Sequence, residues 1–251
     1  MIRLFPYPVI NLMNHKATEQ FSRKKDGVYR MLTSERSSTG SNVWSYLPGT
    51  DREVEAIADR MKKKSYDISL FKGDKAMEYN IKTLSGHSPE ILHIATHGFY
   101  MNNEEMEKVG LVFAGANNSW NSEELTMYQL DDGILTGEEI TWLDMSSTDL
   151  VVLSACQTGI GNVDIEGMHG LQRAFKRAGA RSLMVSLWSV DDTATKALME
   201  RFYTRLSEGW DKRDALKDAQ KHIKGMVFKD SIYKDINGSN PYYWAAFIII
   251  D

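Results

Sequence analysis

The sequence predicts an α/β protein: a mostly parallel central sheet with helices on both faces. Two observations carry this. Short apolar, β-branched runs alternate with amphipathic stretches of helical period from about residue 50 to the C-terminus, and helices of crossover length between strands imply parallel pairing. The run "DLVVLSAC" is apolar at nearly every position, as a central strand buried on both faces requires.

The elements follow in order. Residues 14 to 45, centred on "TSERSSTGSN", are polar and weakly periodic, so residues 1–45 read either as a loosely attached N-terminal extension or as the remnant of a longer upstream region, before a compact domain over 46–251. Thr50 and Glu53 have capping-box spacing, and Val54, Ile57, Ala58 and Met61 then share one helical face up to the basic stop "KKK". "DISLF" reads as a strand, and Asp74 as the cap of a helix bearing Met77, Ile81 and Leu84. "ILHIATHG" is a buried strand with a glycine at its end, and "LVFAG" a further short strand. The polar stretch from Ala116 to Gln129 reads as an exposed surface loop, after which "DGILTGEEI" returns the chain to the body. After "DLVVLSAC" comes a helix with Met168, Leu171, Phe175 and Ala178 on one stripe, ended by Gly179. "RSLMVSLW" is a strand; Ala194, Leu198, Phe202 and Leu206 mark the next helix, Ala215, Ala219 and Ile223 another, and "WAAFIII" the closing strand.

Composition narrows the function. Thirty basic against 34 acidic residues give a formal charge of −4 without a long single-sign block, which disfavours nucleic-acid binding. The apolar runs fall short of a membrane span, and "LFPYPVINLM" is broken by two prolines with no small-x-small cleavage site after it. A single cysteine forms no internal disulfide and points to a reducing, cytoplasmic setting.

In open α/β sheets the working crevice lies beyond the carboxyl ends of the strands. Three strand ends stand out there: "THG" (96–98), "ACQTG" (155–159) and "LWSVDD" (187–192). The first two supply His97 and Cys156, 59 positions apart, on separate strands that are able to be neighbours. A thiol of ordinary pKa near 8.5 is only a few per cent thiolate at neutral pH, so a nucleophilic cysteine needs a base; His97 fits that role, and the backbone N–H groups of Gly98 and Cys156 fit an oxyanion hole. The competing assignment makes Cys156 a small buried hydrophobe, and His93 reads as a hydrogen-bonded core residue. His93 and His97 have metal-ligand spacing only on a helix, and "ILHIATHG" reads as strand, so no metal is expected. "GIGN" lacks the remainder of a phosphate loop, and no cofactor is expected.

These residues resemble the CHAT domains, caspase-like peptidase domains often found downstream of tetratricopeptide repeats. The likeness runs from "YLPGTDREVEAI" through "ILHIATHGFY", "DGILTGEEI", "VVLSACQTGIG", "GMHGLQRAFKRAGARSLMVSLWSVDD" and "FYTRL" to "PYYWAAFIIID". It implies a caspase–hemoglobinase sandwich in which His97 is the general base and Cys156 the nucleophile of a cysteine endopeptidase. It also implies a protein or peptide substrate, a role in bacterial signalling or defence, and a repeat-containing sensor or regulatory partner. The caspase Q-A-C-x-G signature is altered here, with Ser154 in place of the glutamine and Thr158 inserted before Gly159; this removes the basis for a caspase-like aspartate preference. By analogy with related peptidases, Trp188, Ser189 and Asp191 border the substrate cleft, and Asp164 and Glu166 attract a basic substrate side chain. Trp188 as core packing, Asp191 as a helix N-cap, and Asp164 and Glu166 as partners of a helix N-terminus are the structural alternatives. A silent caspase-like scaffold that needs a partner to order its cleft, and a thiol acyltransferase using the same pair, are the rival functions.

Overall fold

The computed structural model describes residues 9–13, 44, 48–103, 106–120, 131–154, 165–188, 191–229 and 235–251. Its elements are β1 (Val9–Met13), α1 (Pro48–Lys62), β2 (Ile68–Phe71), α2 (Glu78–Lys82), β3 (Ile91–Ala95), β4 (Gly98–Asn103), β5 (Met106–Val112), α3 (Ala116–Trp120), β6 (Ile134–Thr136) and α4 (Gly137–Thr141). They continue with β7 (Leu150–Leu153), α5 (Ile165–Arg177), β8 (Leu183–Ser186), α6 (Asp192–Ser207), α7 (Lys212–Lys224), β9 (Val227–Lys229), β10 (Asp235–Asn237) and β11 (Phe247–Ile250).

Among the described residues, six strands form the central sheet in the order β11-β8-β7-β3-β1-β2. All neighbours pair in parallel except β11, which runs antiparallel to β8 at one edge. The period-two rule divides the core. Leu150 and Val152 of β7 and Met184 of β8 face a cluster with Ile57 and Met61 of α1, Leu198 and Phe202 of α6, and Ala215 and Ile223 of α7. Val151, Leu153, Leu183 and Val185 face the opposite side, with Ile81 of α2, Ile140 of α4, and Leu171 and Phe175 of α5. Each large apolar side chain so buried stabilises the fold by roughly 1.5–3 kcal/mol. Helices therefore cover both faces, and β7, buried throughout, sits where its sequence places it. Gly179 (φ +100°) and Gly209 (φ +83°) follow α5 and α6 in the left-handed region that glycine tolerates.

Several elements differ from the sequence expectations. Residues 9–13, expected in the extension, form β1 between β3 and β2, so the sheet takes in a strand that lies before residue 46. Thr50 is the third residue of α1, not its cap: Pro48, whose fixed φ suits the first helical turn, begins the helix, and Glu53 is buried. Asp74 lies in a 3-10 turn (Gly73–Lys75), and α2 starts at Glu78, with Met77 N–H donating to Asn80 Oδ1 at 3.0 Å. Gly98 opens a new strand rather than closing one. Of "LVFAG" only Leu111 and Val112 are strand, the end of the longer β5, which pairs antiparallel with β4 and β6 in a separate three-stranded sheet. The stretch expected as a loop begins as α3, with Ala116 buried; its remainder, 121–129, lies outside the described residues. "WAAFIII" contributes only Phe247–Ile250 to the closing strand.

Candidate functional site

The site is built on the parallel neighbours β3 and β7. Their register pairs His93 with Val152 and Ile94 with Leu153, and Ser154 N–H donates to Ile94 C=O at 2.9 Å. His97 follows Ile94 by three residues and Cys156 follows Leu153 by three. His97 is half-buried at the carboxyl end of β3, where the chain leaves the central sheet for β4. Its carbonyl accepts from Val112 N–H at 2.9 Å, and the buried Thr96 hydroxyl donates to Val112 C=O. The His97–Gly98 peptide is trans, so with the His97 carbonyl turned to β5, the Gly98 N–H points away from that strand. The buried Trp44 ring lies 5.4 Å from the His97 ring, tilted by 40°.

Below the strand ends is a buried polar chain. His93 is fully buried; its Nδ1 lies 2.8 Å from Tyr203 Oη. Nε2 faces Glu53 Oε1 at 3.2 Å, close enough for an ion pair but outside good hydrogen-bond geometry. Glu53 Oε2 accepts from the Ser154 hydroxyl at 3.2 Å. Burial first, and then the nearby Glu53 charge, push the Tyr203 phenol well above its ordinary pKa, so the phenol keeps its proton and can donate it to His93 Nδ1. His93 is thus the core residue its strand position predicts.

The remaining expected residues fall as follows. Cys156, Asp164 and Ser189 lie outside the described residues, as does the Glu166 side chain, although its backbone belongs to α5. Asp191 is the N-cap of α6, its carboxylate accepting from Ala194 N–H at 2.9 Å. Trp188 is not core: it is 37% exposed, and its indole N–H donates to Tyr242 C=O at 3.0 Å. Leu187 and Tyr242 are exposed with it.

Glu53, Tyr203 and Trp44 are the site-bordering residues that the sequence pattern does not single out. For Glu53 a signal exists: Glu53, Ile57 and Met61 recur every four residues, which sets a carboxylate on the apolar stripe of α1. Trp44 has no such signal, because its partners are remote in sequence.

Among the described residues no helix is long and apolar enough to cross a membrane. Tetratricopeptide repeat protein 28 of Mus musculus is 34% identical over 117 residues, 47% of this chain and 4% of that protein. The Homo sapiens protein of the same name is 33% identical over 121 residues, 48% of this chain and again 4% of its own length. The family model of the CHAT domain matches residues 12–251, taking in all the central-sheet strands but the start of β1. With the α/β architecture, the mostly parallel sheet and this match across nearly its whole length, the chain belongs to the CHAT domain family.

Proposed function

We propose that the protein is a cysteine endopeptidase that hydrolyses a protein substrate with Cys156 as nucleophile and His97 as general base. The observation that carries this is the parallel adjacency of β3 and β7, with the histidine and the cysteine the same three residues beyond the last paired positions. His97 accepts the thiol proton, the thiolate attacks the scissile carbonyl carbon, and the carbonyl electron pair moves onto oxygen. The Gly98 N–H, turned away from β5, and the Cys156 N–H are the donors for that oxyanion. Collapse breaks the C–N bond, and the amine leaves with the proton held by the imidazolium. Water, deprotonated by His97, then cleaves the thioester and restores the thiol.

Trp188, with Ser189, borders the cleft, and the exposure of the indole supports that role. Asp164 and Glu166 supply a preference for Arg or Lys before the cut; the Asp191 carboxylate serves the α6 cap. The tetratricopeptide repeats in the relatives' name support a repeat-containing sensor or partner; signalling or defence is the setting that the family resemblance implies. A reducing, cytoplasmic environment would keep the nucleophile a thiol.

The test compares the chain with Cys156→Ala and His97→Ala on a peptide library, with iodoacetamide labelling of the native protein. Cleavage should vanish in the first variant and fall roughly 10²- to 10⁴-fold in the second, and Cys156 should be alkylated faster when His97 is present. Cleavage that survives Cys156→Ala removes the nucleophile assignment; a chain that cleaves nothing and whose thiol resists alkylation is the scaffold instead.

A further inference from the structure

We propose that Trp44, clasped by Asn117, is a positioning residue that holds the His97 imidazole in its working orientation. The proposal deepens the peptidase reading and rests on it. Asn117 Oδ1 accepts from Trp44 N–H at 2.8 Å, and Asn117 Nδ2 donates to Trp44 C=O at 3.1 Å. A backbone N–H only donates and a carbonyl only accepts, so this pair fixes the orientation of the carboxamide. One side chain therefore grips the backbone of a residue 73 positions away at two points, as a strand neighbour would, and this sets the direction of the indole.

The indole is buried between two aromatic partners, with ring centroids 5.4 Å from His97 and 6.4 Å from Phe99. Around it close Val112, Ala116 and Ile134. Gly110 leaves room for this arrangement, since a Cβ there would lie 2.6 Å from the Phe99 ring and 2.8 Å from Leu135 C=O. The backbone of His97 is held by Val112, and the imidazole is oriented by rotation about its two side-chain torsions. A rigid ring against one side of the imidazole restricts those rotations and excludes water from that side. Proton transfer depends on such placement, and small misplacements of reacting groups cost up to about 100-fold in rate. The assignment gives a function to the end of the N-terminal extension and to the first helix of the polar insertion, which meet beside the proposed base.

The experiment uses the full chain and three variants, Asn117→Leu, Trp44→Ala and Trp44→Phe. It reads kcat and KM on a cleaved peptide, and the His97 ring signals by NMR, assigned from a His97→Gln spectrum. Asn117→Leu and Trp44→Ala should lower kcat roughly 10- to 100-fold with KM within about twofold, and Trp44→Phe should retain most of the rate. In Asn117→Leu, which keeps the indole, the His97 signal should lose its ring-current shift and broaden. A folded Asn117→Leu protein with unchanged kcat, or with an unchanged His97 signal, overturns the proposal. If Trp44→Ala does not fold, Asn117→Leu and Trp44→Phe decide. Should the unmodified chain cleave no peptide, the peptidase reading falls, while the NMR comparison still decides whether the clasp orders His97.

Discussion

At the scale of single residues, Glu53 shows how one buried carboxylate serves three elements. It sits on α1, yet its oxygens face His93 of β3 and Ser154 at the end of β7, and Tyr203 of α6 closes the chain from the far side of His93. A carboxyl group this far from water needs polar neighbours, and here they are His93 of β3 and Ser154 just past β7, on the two strands that lead to His97 and Cys156. Glu53→Ala would leave the Ser154 hydroxyl without its acceptor, remove the carboxyl group that faces His93 Nε2 and open a void. It should cost about 2–4 kcal/mol in denaturant unfolding, whereas Glu53→Gln, which keeps the shape and an acceptor, should cost less. Equal stability of Glu53→Ala and the unmodified chain would remove the network from the account of this site.

At the scale of elements, α6 and α7 are held together by more than apolar packing. Asp218 of α7 accepts from Arg201 Nε at 2.6 Å and Arg205 Nε at 2.8 Å, both on α6. These two guanidinium groups, Arg205 the stronger, pull its carboxyl down to about 2. A carboxyl depressed in the folded state contributes stability above its unfolded pKa of about 3.9, and loses it as pH falls through the folded value. The fall in Tm between about pH 4 and pH 2 should therefore be smaller in Asp218→Asn than in the unmodified chain, and Asp218→Asn should be the less stable of the two near neutrality. Parallel Tm curves for the two proteins across that window would contradict the linkage. The same two helices bury Phe202, Ala215 and Ile223 against the sheet, so the ion pairs orient an interface that hydrophobic burial already favours.

At the scale of the whole molecule, the central sheet joins distant parts of the chain. β1 comes from residues 9–13, lies between β3 and β2, and pairs in parallel with both. Beginning the chain at residue 46 would remove this strand, leave the facing edges of β3 and β2 unpaired, and take away Trp44 beside His97. Unpaired edges template aggregation. Such a shortened chain should show a lower Tm and elute partly as larger species in size-exclusion chromatography. A monomer of unchanged Tm would show that the sheet does not need β1.

The sequence by itself determined the class, the parallel centre and the two strand ends that carry the proposed chemistry. These rest on local rules: continuous apolar runs such as Leu150–Leu153, helical stripes such as Ala215–Ala219–Ile223, and a histidine and a cysteine just past strand ends. Tertiary structure alone decided what rests on pairing between remote segments. Period-two patterning says which face a strand buries but not its neighbour, so nothing local told that 9–13 would lie inside the sheet or that "LVFAG" belonged to a separate antiparallel one. Glu53 read as a capping residue because a helix entry and a buried carboxylate have the same local spelling; the difference is His93 and Ser154, 40 and 101 positions away. Trp44 lay in a polar, aperiodic stretch, and only the approach of Asn117, Phe99 and His97 gave its ring a place.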